Sequence, residues 1–247
     1  TRRGGRSTAN DPGLNAVLDA EVPAACLVGK TWDFHVETAL NITFEENLDM
    51  ISQSIAAAKE RGREAMFDCE HFFDGYKANP SFALDCVKAA HAGGASWVVL
   101  CDTNGGSLPD EVYAIVSAVK QACPDVALGI HCHNDCGLAV ANSIMSVNSG
   151  VGLVQGTING IGERTGNADL CSIIPSLALH CGTSKMSCKD NLQDITSLSR
   201  YLDETFTDVT ITNDIEYGVN ATVLTLPQFG EAVPESLKLD LYQPVGD

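Results

Sequence analysis

The 247-residue chain is 45% hydrophobic and 19% charged, which supplies a large apolar core and argues against a disordered chain. Its 15 Lys and Arg stand against 32 Asp and Glu, a net charge of −17, and the one basic cluster is Arg2, Arg3 and Arg6, so a nucleic-acid partner is not expected. No apolar run approaches the roughly 18 residues of a membrane helix, so no membrane partner is expected either.

The first residues form no apolar leader segment, and position 1 is Thr, so a processed chain or a fragment is expected. The ten cysteines are scattered, with no CxxC. Cys26, Cys101 and Cys171 sit in apolar runs, where buried reduced thiols are expected, which fits a cytoplasmic location.

In chain order, strand-like runs fall at 24–29, 64–68, 96–101, 126–131 and 151–158. Helix-like stretches lie between them. The stretch 44–61 carries Leu48, Ile51, Ile55 and Ala58 at helical spacing and stops at Gly62. The stretch 80–92 opens on Pro80 at a first-turn position and ends at Gly93-Gly94. The stretches 108–123 and 137–149 repeat the arrangement. The strands are apolar nearly throughout, as parallel strands buried on both faces are.

A run of βα units admits a doubly wound open sheet or a (β/α)₈ barrel. The placement of polar residues decides for the barrel. Each strand is followed by chemistry: Lys30 and Asp33, Glu70 and His71, Asp102-Thr103-Asn104, His131 and His133, Asn159 and Glu163. Polar groups at the C-terminal ends of successive strands are barrel logic. An open sheet more often carries a Gly-rich phosphate loop after its first strand, and neither GxGxxG nor GxxxxGK[ST] is present. Closure needs about eight strands; five are visible, and Arg2-Arg3 are candidates for the end of a sixth.

The sharpest motif is His131-Cys132-His133-Asn134-Asp135. Histidines at i and i+2 of a strand end share a face, while Cys132 points the other way into packing. Both imidazoles therefore enter the barrel mouth as a candidate site for one divalent metal; a hydrogen-bonded loop pair is the alternative. Asp102 and Thr103 end an apolar strand before Gly105-Gly106, either a ligand approach or ordinary turn chemistry. Asp68 and Glu70 share a face of their strand, as mouth carboxylates or as capping and salt-bridged acids. Residues 156–167 form a long Gly-rich loop with one ion-pair candidate, and its spacing matches no phosphate loop.

Taken together, Val28-Gly29-Lys30-Thr31-Trp32-Asp33, the stretch from Asp68 to Lys77, Leu100 to Gly106, Gly129 to Gly137 and Gln155 to Asn167 resemble the metal-dependent Claisen-condensation TIM barrels. These include citramalate, 2-isopropylmalate and homocitrate synthases, with hydroxymethylglutaryl-CoA lyase as a relative. The stretch from Glu70 to Lys77 and the stretch from Gly162 to Pro175 are most similar to the citramalate branch. The resemblance covers about residues 1–206 and implies an acyltransferase that condenses acetyl-CoA with a 2-oxo acid, pyruvate first, in branched-chain amino-acid biosynthesis. It implies His131 and His133 as ligands of Mn²⁺, Mg²⁺ or Zn²⁺ with Asn167 beside the metal. It also implies Thr103 on the carboxylate of the 2-oxo acid, Glu70 in acid–base chemistry, small-molecule substrates and a homodimer. A retro-Claisen lyase and a non-catalytic homologue or fragment are the alternatives.

The family pattern opens with a strand ending in Arg-Asp-Gly and carries a Gly-Gly-x-His segment beyond the barrel; neither motif occurs here. The expectation is therefore a partial barrel over 1–182 holding strands three to eight of the family. A C-terminal helix at 190–206 and a divergent extension over 207–247 are expected to follow within 183–247. A chain so composed is expected not to catalyse condensation by itself.

Overall fold

The computed structural model describes residues 1–181 and 189–206 and the short strands Thr210–Thr212 and Val223–Thr225. The chain divides into two compact units, Thr1–Lys189 and Asp190–Asp247. The expected boundary at 182/183 falls within the segment 182–188, outside the described residues.

The first unit is built on a five-stranded sheet in the order β1 (Ala24–Lys30), β2 (Glu64–Glu70), β3 (Trp97–Asp102), β4 (Leu128–Cys132) and β5 (Leu153–Gln155). Every pairing in it is parallel. The helices are α1 (Pro12–Asp19), α2 (Asp33–His35, running into a π-type turn at Val36–Leu40), α3 (Phe44–Glu60), α4 (Phe72–Ala78), α5 (Pro80–Ala92), α6 (Pro109–Ala122), α7 (Ala139–Asn148) and α8 (Leu170–His180). Sequential parallel strands with helical crossovers are the repeating unit of a barrel wall, as expected. Arg2-Arg3 form no strand; Thr1 donates its amino N–H to the Val28 carbonyl on β1 at 2.9 Å, while Arg2 is buried against Glu46 at 2.7 Å. That cation is structural.

Local chemistry fixes the helix ends. Asp11 Oδ1 caps α1 by accepting from the Leu14 N–H, Thr43 Oγ1 caps α3 by accepting from Glu46, and Asn79 caps α5 ahead of Pro80. Gly62, at φ +72°, ends α3 in the left-handed region. Helices α1, α2, α4 and α8 were not legible as periodic stretches. The last strand is much shorter than the expected 151–158, because its continuation leaves the ladder for the loop after Gln155.

The strands do not bury both faces uniformly. Leu27, Phe67, Leu100, Leu128, Ile130 and Cys132 point outward and are packed under α3, α5, α6 and α7 into one apolar core. On the inner face Val28 is 48% exposed, and Cys26 is exposed rather than buried. Cys101 is buried and Cys171 half-buried, and no disulfide joins the described cysteines. The apolar runs of β1 and β2 thus hide a two-residue alternation that β3, buried nearly end to end, lacks.

In the second unit α9 (Ile195–Phe206) forms within the helix expected at 190–206, after a 3₁₀ turn at Lys189–Asp194. β6 (Thr210–Thr212) pairs antiparallel with β7 (Val223–Thr225). The rest of the expected extension over 207–247 lies outside the described residues. Among the described residues no helix is long and apolar enough to cross a membrane.

Candidate active site

The C-terminal ends of the strands gather polar side chains on the inner face. Lys30 and Glu70 are register partners on β1 and β2, and Lys30 Nζ lies 2.7 Å from Glu70 Oε2. Glu70 therefore stands in an ion pair at the mouth, both side chains partly open to solvent. Asp33, also expected there, is bound elsewhere: its Oδ1 accepts from the Phe34 N–H at its own helix start, and its Oδ2 accepts from the side chain of Asn79, the cap of α5, at 2.9 Å.

His71, next along, sits in the left-handed region at φ 57° and donates its backbone N–H to Thr103 Oγ1 at 2.8 Å. With one lone pair so occupied, the Thr103 hydroxyl keeps its own proton to donate elsewhere. Asp102 does not join Thr103. One residue earlier on β3, it points to the opposite face, where Ser107 Oγ donates to it at 3.0 Å and Asn142 reaches it at 3.4 Å. Buried among these partners, Asp102 is a structural acid turned away from the mouth, and burial pushes its carboxyl up.

His131 and His133 lie side by side with ring centroids 5.2 Å apart. His133 is 8% exposed, and burial, then His131 and Arg164, holds its imidazole toward the neutral form. A single antiparallel bridge ties His133 to Asn167, bringing the end of the Gly-rich loop to β4. A Cβ on Gly162 would stand 2.7 Å from the Asn167 amide, so glycine there lets the loop close on Asn167. The three expected metal-side residues are thus brought together.

No group of three or more His, Cys, Asp or Glu side chains is gathered for a metal among the described residues. The donor set nevertheless suits part of a divalent cation's shell. His133 Nδ1 and Asn167 Oδ1 are both buried without a hydrogen-bond partner, an arrangement that costs about 1–3 kcal/mol per group when nothing binds there. Two imidazoles and an amide oxygen make a mixed N/O set that leaves the metal's identity open.

Two devices were not legible beforehand. Arg164, at φ 56°, grips Asp135 with Nε at 2.7 Å and Nη2 at 2.8 Å, and Nη2 also donates to the Thr103 carbonyl at 2.6 Å. This fork ties the loops after β3 and β4 to the Gly-rich loop, and it holds the Asp135 carboxyl below its ordinary range. Glu163, the sequence neighbour, is a distant partner at 3.7 Å. The second device is Gln155, which bonds His131 at 2.8 Å and Asp68 at 2.9 Å. Alternation along β5 turns Gln155 inward, but no sequence signal names its partners.

A parallel sheet with helices on its outer face and chemistry at the C-terminal strand ends is the scaffold of the barrel-type α/β enzymes. The HMGL-like family model matches residues 5–202, and the chain belongs to that family. It is 51% identical over 204 residues to (R)-citramalate synthase of Aquifex aeolicus, covering 83% of this chain and 38% of that protein. It is 40% identical over 245 residues to (R)-citramalate synthase of Streptomyces coelicolor, covering 99% of this chain and 45% of that protein. The chain therefore spans about two fifths of the length of these relatives. Among solved structures, the HMG-CoA lyase of Bacillus subtilis superposes with a TM-score of 0.66 at 21% identity, covering 78% of this chain and 66% of that one.

Proposed function

We propose that this chain carries the acceptor side of an acyltransferase that condenses acetyl-CoA with a 2-oxo acid, pyruvate first, to give citramalate. The carrying observation is the convergence of His131, His133 and Asn167 at one mouth, with two of their buried donor atoms unpartnered. Identity to proteins named (R)-citramalate synthase supports the choice of reaction.

His131, His133 and the Asn167 amide oxygen would hold the divalent metal, Mn²⁺, Mg²⁺ or Zn²⁺. A cation there supplies Lewis-acid polarisation of a keto oxygen. The Thr103 hydroxyl, one lone pair of which accepts from the His71 N–H, donates its proton to the carboxylate of the 2-oxo acid. The Arg164 fork holds the Thr103 carbonyl and thereby fixes that residue's backbone. Glu70, oriented through Oε2 by Lys30, accepts a proton from the acetyl methyl carbon. That carbon forms the new bond to the keto carbon as the carbonyl π bond opens, and the alkoxide so formed takes up a proton equivalent to the one Glu70 removed. Water adds to the thioester carbonyl, leaving a carboxylic acid as CoA departs as its thiol. The methyl proton is weakly acidic, so a base within hydrogen-bond reach matters more than a strong one.

The test is CoA release from acetyl-CoA and pyruvate with Mn²⁺ by the full-length protein. Glu70→Gln should lower kcat by roughly 10²–10⁴-fold with metal affinity unchanged. A fully active variant that is only destabilised refutes the role of Glu70. Cleavage of hydroxymethylglutaryl-CoA in place of condensation refutes the synthase.

A further inference from the structure

Across the inner face runs a chain of hydrogen bonds that joins four strands. His131 of β4 and Gln155 of β5 are register partners, and His131 Nδ1 lies 2.8 Å from Gln155 Oε1. Gln155 Nε2 donates to Asp68 Oδ1 of β2 at 2.9 Å, an interaction spanning 87 residues of sequence. The Cys26 thiol of β1 donates to the same Asp68 oxygen at 3.1 Å, and Gln155 Nε2 lies 3.8 Å from the Cys26 sulfur. Gln155 thus reaches over β3 and β4, which the sheet permits because it curls like a barrel wall.

The polarity of this chain follows from its last member. A carboxylate only accepts, so the end of Gln155 that faces Asp68 must be its NH₂. The other end, facing His131, is then the carbonyl oxygen, which also only accepts. The proton in that bond therefore belongs to His131 Nδ1. A neutral imidazole with Nδ1–H carries its lone pair on Nε2.

We propose that Gln155 and Asp68 are positioning residues that lock His131 in the Nδ1–H tautomer, so that Nε2 is the nitrogen offered to a metal. The consequence for metal binding rests on the function proposed above; the tautomer itself is a property of the metal-free protein. Imidazole ligands are commonly oriented by a partner on their other nitrogen, and loss of such a partner weakens metal affinity by about 10–100-fold.

The substitution Asp68→Asn removes the source of polarity. The amide it introduces can donate as well as accept, so Gln155 is free to turn over, and its NH₂ then faces His131 and demands the opposite tautomer. Adding Gln155→Glu restores the original sense, because a carboxylate at 155 accepts from both neighbours. The experiment is long-range ¹⁵N NMR of His131 in the metal-free full chain, with calorimetric titration of Mn²⁺. The expected result is Nδ1–H alone in the unmodified chain, a mixture in Asp68→Asn, and Nδ1–H again in the Asp68→Asn/Gln155→Glu pair. Mn²⁺ affinity should fall by about 10-fold or more in the single variant and recover in the pair. An Nε2–H His131 in the unmodified chain overturns the inference, as does a tautomer indifferent to both Asp68→Asn and Gln155→Leu. Mn²⁺ affinity unchanged by His131→Ala would remove the metal reading alone and leave the tautomer result standing.

Discussion

The two faces of the five-stranded sheet are held by different physics. The outer face is a row of apolar side chains sealed under helices, where close packing fixes position and each lost methylene is felt. The inner face is partly open to solvent and is ordered by directional bonds: the Lys30–Glu70 pair, the Gln155 relay and the nearby Arg164 fork. Mutations on the outer face should therefore change stability first. Those on the inner face should change chemistry first, because a hydrogen bond between partly solvated groups contributes little net stability.

The strongest way to break this contrast is Phe67→Ala. Phe67 points outward from β2, is fully buried, and fills the space that a Cβ on Gly29 would enter at 2.9 Å. Its truncation should cost about 3–5 kcal/mol in urea unfolding. A loss below about 1 kcal/mol would show that the outer face is not the stabilising one.

A smaller loss should come from overfilling rather than emptying. Gly75 of α4 lies so close to β1's exit that a Cβ would stand 2.5 Å from the Thr31 carbonyl oxygen. The neighbour is backbone and cannot turn aside, so Gly75→Ala should cost about 1–3 kcal/mol, read from the same unfolding curves. A neutral substitution would mean that α4 shifts freely on the sheet.

Next is Asp11, which caps α1. Its carboxyl is held below its ordinary range, first by the Leu14 N–H and then by the Arg3 N–H. Asp11→Ala should cost about 1–2 kcal/mol near neutral pH. A depressed folded-state pKa means that this contribution is complete above the unfolded value of about 3.9 and is lost as pH falls through the folded value. The stability gap between the two proteins should therefore close on acidification, and a gap independent of pH would refute the cap's charge.

The smallest effect sharpens the comparison from the other side. Val28 faces inward and is 48% exposed. Val28→Thr should move stability by no more than about 0.5 kcal/mol. A loss of several kcal/mol would mean that the inner face is sealed by packing after all.

Much of the wall was legible in the sequence because it is local. Periodicity marks the α3 face at Leu48, Ile51, Ile55 and Ala58, and Pro80 with Gly93-Gly94 brackets α5. The i, i+2 spacing of His131 and His133 put both imidazoles at one mouth, as the structure has them. The same alternation separates Asp102 from Thr103: adjacent residues on a strand face opposite ways, and Asp102 goes to Ser107 and Asn142. The short helices α2 and α4 escaped because fewer than three turns carry too little periodicity to stand out.

The sequence by itself thus determined the parallel βα repeat, the strand-end placement of Glu70, Thr103, His131 and His133, and the helix bounds at Gly62, Pro80 and Gly93-Gly94, since each depends on residues within a few positions of one another. Only the tertiary structure decided that Gln155 meets Asp68, that Arg164 chooses Asp135 over Glu163, and that Cys26 is exposed. Those outcomes depend on how far the sheet curls and which loops meet across its mouth. Curl is a sum of small twists over all five strands, and no local pattern of residues encodes it.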